Sequence, residues 1–142
     1  MSFYLQGGDS LNTLESTPSQ VDGLLTTCDG DLISLTCSHD NARSTNTLWN
    51  IGPPANCTLL ISHDLTTFDN LTCDSFSFQD ITMVMADNPR PIFNSTAVAV
   101  ASVAMSGSVV ECRAGNLVAS TSVGNVSLCI IGESCSECIP HS

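Results

Sequence analysis

At 142 residues the chain is long enough to bury a core of its own, and it fits one domain of ordinary size with some tail. Fourteen Asp and Glu stand against three Arg and no Lys, a net charge of −11. That balance excludes the basic patches that nucleic acid or an anionic membrane surface would require. The longest weakly apolar run, Ala97–Met105, is broken by Ser102 and falls far short of the ~20 residues of a membrane span.

Residues 1–22 are polar, with Gly7-Gly8 and a Ser/Thr/Pro stretch at Ser16–Ser19. They read as a leader or linker with a first edge strand near Val21. Met1–Ser10 has neither a basic n-region nor an apolar h-region and does not read as a signal peptide. For an extracellular chain that points to a fragment or a truncated gene model. From Leu24 onward, short apolar runs alternate with Gly, Pro, Asn and Asp clusters, and no stretch carries a 3.6-residue apolar stripe. This pattern predicts an all-β domain.

Leu32–Ser38 alternates with Ile33, Leu35 and Cys37 on one face, the mark of a half-buried strand. Leu48–Ile51 follows with the only tryptophan, Trp49 sharing a face with Ile51, and Gly52-Pro53-Pro54 stops it. Further strands are expected at Cys57–Ser62, at Ser75–Met85 and, after the Asn88-Pro89 turn, at Ser95–Val103. Ser108–Ala114 turns Val110, Cys112 and Ala114 to one face and Glu111 and Arg113 to the other. Ser122–Ile131 turns Val126, Leu128 and Ile130 inward. The total is about eight strands, a number suited to two packed sheets. The expected division is 1–22 leader, 23–131 domain and 132–142 a cysteine-bearing tail.

Eight cysteines, Cys28, Cys37, Cys57, Cys73, Cys112, Cys129, Cys135 and Cys138, are an even number at high density, which favours an oxidising compartment and structural bridges. Four Asn-x-Ser/Thr sequons, at Asn56, Asn70, Asn94 and Asn125, fit the same extracellular or cell-surface location.

Cys37 on an early strand, Trp49 on the next and Cys112 on a late strand follow the order Cys…Trp…Cys. With Gly30-Asp31…Leu35…Cys37, the chain resembles the immunoglobulin superfamily over roughly Leu24–Ile131. The resemblance implies a two-sheet antiparallel β-sandwich with Cys37 bridged to Cys112 across the sheets and Trp49 packed beside the bridge. The long Cys37–Cys112 spacing is closer to the variable or intermediate sets than to the constant set. Similar cysteine-rich modules occur in cell-surface receptors and adhesion proteins, including those of early-branching animals such as sponges. The chain departs from the pattern at Val110, where the tyrosine of the usual corner would stand.

The same topology implies two further bridges, Cys57–Cys73 and Cys28–Cys129, although eight cysteines allow roughly a hundred pairings. Cys135 and Cys138 form a C-x-x-C. With His141 it supplies three ligands at most, and no second C-x-x-C completes a zinc site. A disulfide within the tail, or the first cysteines of a following module, is the expected use. No nucleophile, phosphate-loop, dinucleotide or metalloprotease motif is present, and His63-Asp64 reads as a solvated turn. The expectation is a non-enzymatic module without cofactor or metal, with no direct membrane insertion. It would bind a protein ligand or a second copy of itself through the loops His39–Asn46, His63–Asn70 and Gly115–Ser120. A spacer domain of a longer ectodomain is the alternative, and a C-x-x-C disulfide oxidoreductase the third reading.

Overall fold

The computed structural model describes residues 12–40, 46–52, 57–62, 67–73, 76–86, 92–115 and 118–132. Among them are ten strands: β1 (Thr13–Thr17), β2 (Leu24–Cys28), β3 (Leu32–His39), β4 (Asn46–Ile51), β5 (Cys57–Ser62), β6 (Thr67–Cys73), β7 (Phe76–Ala86), β8 (Ile92–Val100), β9 (Val109–Gly115) and β10 (Ser120–Ile131). A 3-10 turn, Val103–Met105, sits between β8 and β9. The strands form two five-stranded sheets, ordered β1-β3-β8-β7-β6 and β2-β10-β9-β4-β5.

Two expectations are corrected here. Among the described residues the strands number ten rather than about eight, because β1 forms from the polar Thr13–Thr17 and β6 from the mixed Thr67–Cys73. β1 gains its backbone partners from β3, with Leu14 opposite Cys37, and β6 gains its partners from β7. Pairing with a neighbour satisfies the backbone whatever the side chains are. The sheets are also mixed rather than purely antiparallel. β2 runs parallel to β10, with Leu24 opposite Ser127 and Cys28 opposite Ile131, while every other pair is antiparallel. The chain reaches that edge by leaving β1 of the first sheet, passing the cis Thr17–Pro18 peptide and turning at Asp22-Gly23 into β2 of the second.

The core lies between the inward faces of the two sheets, and strict alternation supplies it. Ile33, Leu35 and Cys37 of β3 and Phe93, Ala97 and Ala99 of β8 are buried on one side. Trp49 and Ile51 of β4, Val110 and Cys112 of β9, and Val126, Leu128 and Ile130 of β10 are buried on the other. The expected inward faces of β3, β9 and β10 are all found.

At the centre, four residues form a closed square. Cys37 and Ser95 are neighbours in register on the first sheet, and Trp49 and Cys112 are neighbours on the second. The Cys37–Cys112 disulfide joins one pair of corners, with Cα atoms 6.3 Å apart and 75 residues between them in sequence. A hydrogen bond from Trp49 Nε1 to Ser95 Oγ, 2.9 Å, joins the other pair.

The Gly30-Asp31 pair ties three elements together. Asp31 Oδ2 accepts from Thr27 Oγ1 at 2.8 Å and from the Cys28 amide, which closes the β2–β3 turn. Gly30 donates to the Ala101 carbonyl, and Ala101 donates back to Asp31. Val110, standing where a corner tyrosine was wanting, is fully buried. The corner between β8 and β9 is fastened to β10 by other means. Ser106 Oγ accepts from the Ile130 amide at 3.0 Å, Gly107 donates to Leu128 O, and Ser108 O accepts from the Leu128 amide.

Candidate functional site

The pairing registers bring several strand ends to one end of the molecule. His39 closes β3 opposite Phe93 near the start of β8, and Met85 near the end of β7 lies opposite Phe93 as well. Asn46 opens β4 opposite Ser62 at the end of β5, Thr47 lies opposite Ala114, and Gly115 closes β9 opposite Ser120. The connections 41–45, 63–66, 87–91 and 116–117 are therefore all bounded by strand ends at this one end. Those connecting residues lie outside the described ones.

Beneath this end sits a buried polar pair. His39 was expected to open an exposed loop, but it is fully buried, because the inward alternation of β3 runs one step past Cys37. Its Nε2 lies 2.7 Å from Thr47 Oγ1, and its ring lies against Phe93 with centroids 5.6 Å apart. Nδ1 has no hydrogen-bond partner. Burial pulls the imidazole pKa down to about 4, against a smaller upward pull from the Asp40 carboxylate. His39 is thus a neutral core group at physiological pH and not a contact residue.

Three exposed apolar side chains lie toward the same end: Val84 at 59 %, Met85 at 46 % and Val118 at 95 %. Val118 belongs to the expected contact turn Gly115–Ser120. The base of that turn is braced. Gly115 has φ +138°, and a Cβ placed there would stand 2.4 Å from the Ala119 carbonyl, so only glycine fits. Arg113 adds a bond from Nε to Ser120 Oγ at 2.7 Å and one from Nη2 to Ser120 O at 3.0 Å. Of the loop expected at His63–Asn70, residues 63–66 are outside the described part and Thr67–Asn70 begin β6.

A second polar array crosses the outward face of the second sheet. Thr58 donates to Asn50, Asn50 Nδ2 donates to Glu111 Oε1 at 3.2 Å, and Glu111 Oε2 pairs with Arg113 Nη1 at 3.0 Å. Burial works to raise the Glu111 pKa, but bonds from Ser122 and Asn50 and the Arg113 guanidinium together hold it below the usual carboxylate value. Nothing in the composition marks this array. The signal lies in the phase of Asn50, Glu111 and Arg113 once their strands are paired.

Two of the four sequons can be placed with their side chains. Asn125 is exposed on β10, in register with Glu111. Asn94 is half-buried in the middle of the first sheet, where Ser38 Oγ donates to its Oδ1. Asn70 lies within β6, and Asn56 is outside the described residues. Of the other cysteines, Cys28 and Cys129 are both disulfide-bonded. Cys57 opens β5 and Cys73 closes β6, while Cys135, Cys138 and His141 lie outside the described residues. Compared with known proteins, the chain matches no family model and no curated sequence.

Proposed function

We propose that the chain is an immunoglobulin-type recognition module, extracellular or at the cell surface, that binds a protein partner or a second copy of itself through the end bearing Val84, Met85 and Val118. One observation carries this reading. The orders β1-β3-β8-β7 and β10-β9-β4-β5, with the parallel edge pairing of β2 and β10, support a variable-type arrangement, from which β6 departs by extending the first sheet rather than the second. The Cys37–Cys112 bridge beside Trp49 supplies the inter-sheet pin such modules use.

The location rests on that bridge and on the absence of free cysteines among the described residues. An exposed sequon at Asn125 agrees. Binding rests on the geometry of the end. Connections gathered on a rigid sheet scaffold are where recognition residues concentrate, and exposed apolar side chains there offer area to bury on contact. A non-enzymatic role without cofactor belongs to the same reading.

The test uses the glycosylated full chain secreted from a eukaryotic cell. Sedimentation across micromolar concentrations reads self-association, and saturable binding of a tetramerised form to cell panels reads a partner. Val118→Asp and Met85→Asp should each weaken the observed binding at least tenfold without lowering thermal stability. Absence of both self-association and cell binding overturns the recognition reading and leaves a spacer domain.

A further inference from the structure

We propose that Asn125 is a modification site carrying an N-linked oligosaccharide, and that this oligosaccharide stands over the outward face of the second sheet and closes the row formed by Thr58, Asn50 and Glu111 to protein partners. The inference rests on the extracellular location in the recognition reading and not on binding at the Val118 end.

Asn125-Val126-Ser127 is an acceptor tripeptide for N-glycosylation. Strand phase decides where its first residue points. Gly124 faces the first sheet, where a Cβ placed on it would stand 3.1 Å from Leu14 Cβ, and Val126 is fully buried. Alternation therefore turns Asn125 outward, and it is exposed. Its side-chain amide makes no hydrogen bond among the described residues, so Nδ2 can carry a substituent without breaking an existing contact. Asn94 presents the contrary arrangement, half-buried with its carbonyl oxygen held by Ser38.

Register fixes what lies beneath the sugar. Thr58, Asn50, Glu111 and Asn125 stand directly opposite one another on β5, β4, β9 and β10. With strands ~4.8 Å apart, the row runs about 14 Å across the sheet from Asn125. The other three residues are bonded to one another. Thr58 donates to Asn50, Asn50 donates to Glu111 Oε1, and Glu111 Oε2 holds Arg113. Ser122 donates to the same carboxylate. A protein docking here would have to desolvate groups that are already paired, which gains little. A hydrated oligosaccharide at the end of the row makes no such demand.

The same placement leaves the binding end open. Glu111, opposite Asn125, is four residues from Gly115 at the close of β9, about 14 Å along the strand. The oligosaccharide thus divides the surface. It covers the middle of the second sheet's outward face and spares the strand ends toward which Val84, Met85 and Val118 lie.

Attachment uses an oligosaccharide carried on a lipid pyrophosphate as donor. Asn125 Nδ2 bonds to C1 of the first sugar and gives up a proton. The bond from C1 to the pyrophosphate breaks, and the lipid pyrophosphate leaves with the electron pair. No oxidant or reductant takes part.

The full chain secreted from a eukaryotic cell tests both parts. Amidase release of the glycans in heavy-oxygen water converts each glycosylated asparagine to a labelled aspartate. A glutamate-specific protease, cutting after Glu111 and Glu133, then yields a peptide of residues 112–133 whose one sequon is at Asn125 and whose one arginine is Arg113. A labelled aspartate at position 125 is expected, and an unlabelled Asn125 overturns the proposal. For the covering role, modification of Arg113 by a dicarbonyl reagent is followed on the same peptide. Arg113 lies on the strand beside Asn125, two residues from Glu111. It should react several-fold faster in Asn125→Gln than in the glycosylated chain, with both folded by the near-ultraviolet circular dichroism of Trp49. Equal rates overturn the covering role. Neither readout needs a partner, so the recognition reading can fail with both intact, and both can fail with binding intact.

Discussion

The indole Nε1–H of Trp49 donates to Ser95 Oγ in the opposite sheet at 2.9 Å, with both residues fully buried. Ser95 stands next to Cys37 in register, and Trp49 next to Cys112. The sheets are therefore pinned twice within one square, once by sulfur and once by a hydrogen bond. Ser95→Ala leaves a buried indole N–H without an acceptor, and should cost about 1–3 kcal/mol in urea unfolding. Adding Trp49→Phe removes the stranded donor, so the double variant should lose less than the sum of the two single losses. Strict additivity would show that the bond contributes nothing of its own.

The sulfur pin closes a span of 75 residues. For a loop of that length the chain-entropy estimate gives about 4 kcal/mol. Cys37→Ala/Cys112→Ala should lower the urea midpoint accordingly and steepen the transition, because the unfolded chain without the cross-link exposes more surface. A loss below about 1 kcal/mol would mean that the remaining bridges already restrict the unfolded chain.

Stability should fall with acid, and the sign follows from His39. Its folded pKa is about 4 against an ordinary 6.5, so between those values the unfolded chain takes up a proton that the folded chain refuses. Stability is full above about pH 6.5 and declines toward pH 4, by up to about 3 kcal/mol. Glu111 acts in the same direction, since its folded pKa is depressed and its contribution disappears as pH falls through that lowered value. His39→Gln, which keeps an amide for Thr47, should flatten the thermal midpoint between pH 6.5 and 4. An unchanged slope would acquit His39.

Gly115→Ala forces a side chain into left-handed backbone against the Ala119 carbonyl. The loss should exceed about 1 kcal/mol. Hydrogen exchange should quicken first at the Ala114–Thr121 end of the β9–β10 pair, and binding through Val118 should weaken with it.

Much of the core was legible because alternation is a local property. Ile33, Leu35 and Cys37, then Val110, Cys112 and Ala114, declare their inward face without any knowledge of partners, and all six are buried. Register is not local. Nothing in Leu24–Cys28 says that it runs parallel to β10, and β1 and β6 are held by neighbours rather than by their own composition. His39 is expected at the start of the contact loop His39–Asn46, but its phase with Cys37 places it inside. Ser95 opens the expected strand Ser95–Val103, but its role as indole acceptor needed the facing sheet.

The parallel edge has a mechanical consequence. β2 and β10 point the same way, so tension drawing the chain backward from Leu24 and forward from Ile131 loads their ladder in shear. The bonds from Leu24–Ser127 to Cys28–Ile131 then share the force and must give way together. An antiparallel hairpin pulled open from its ends would instead release its bonds one at a time.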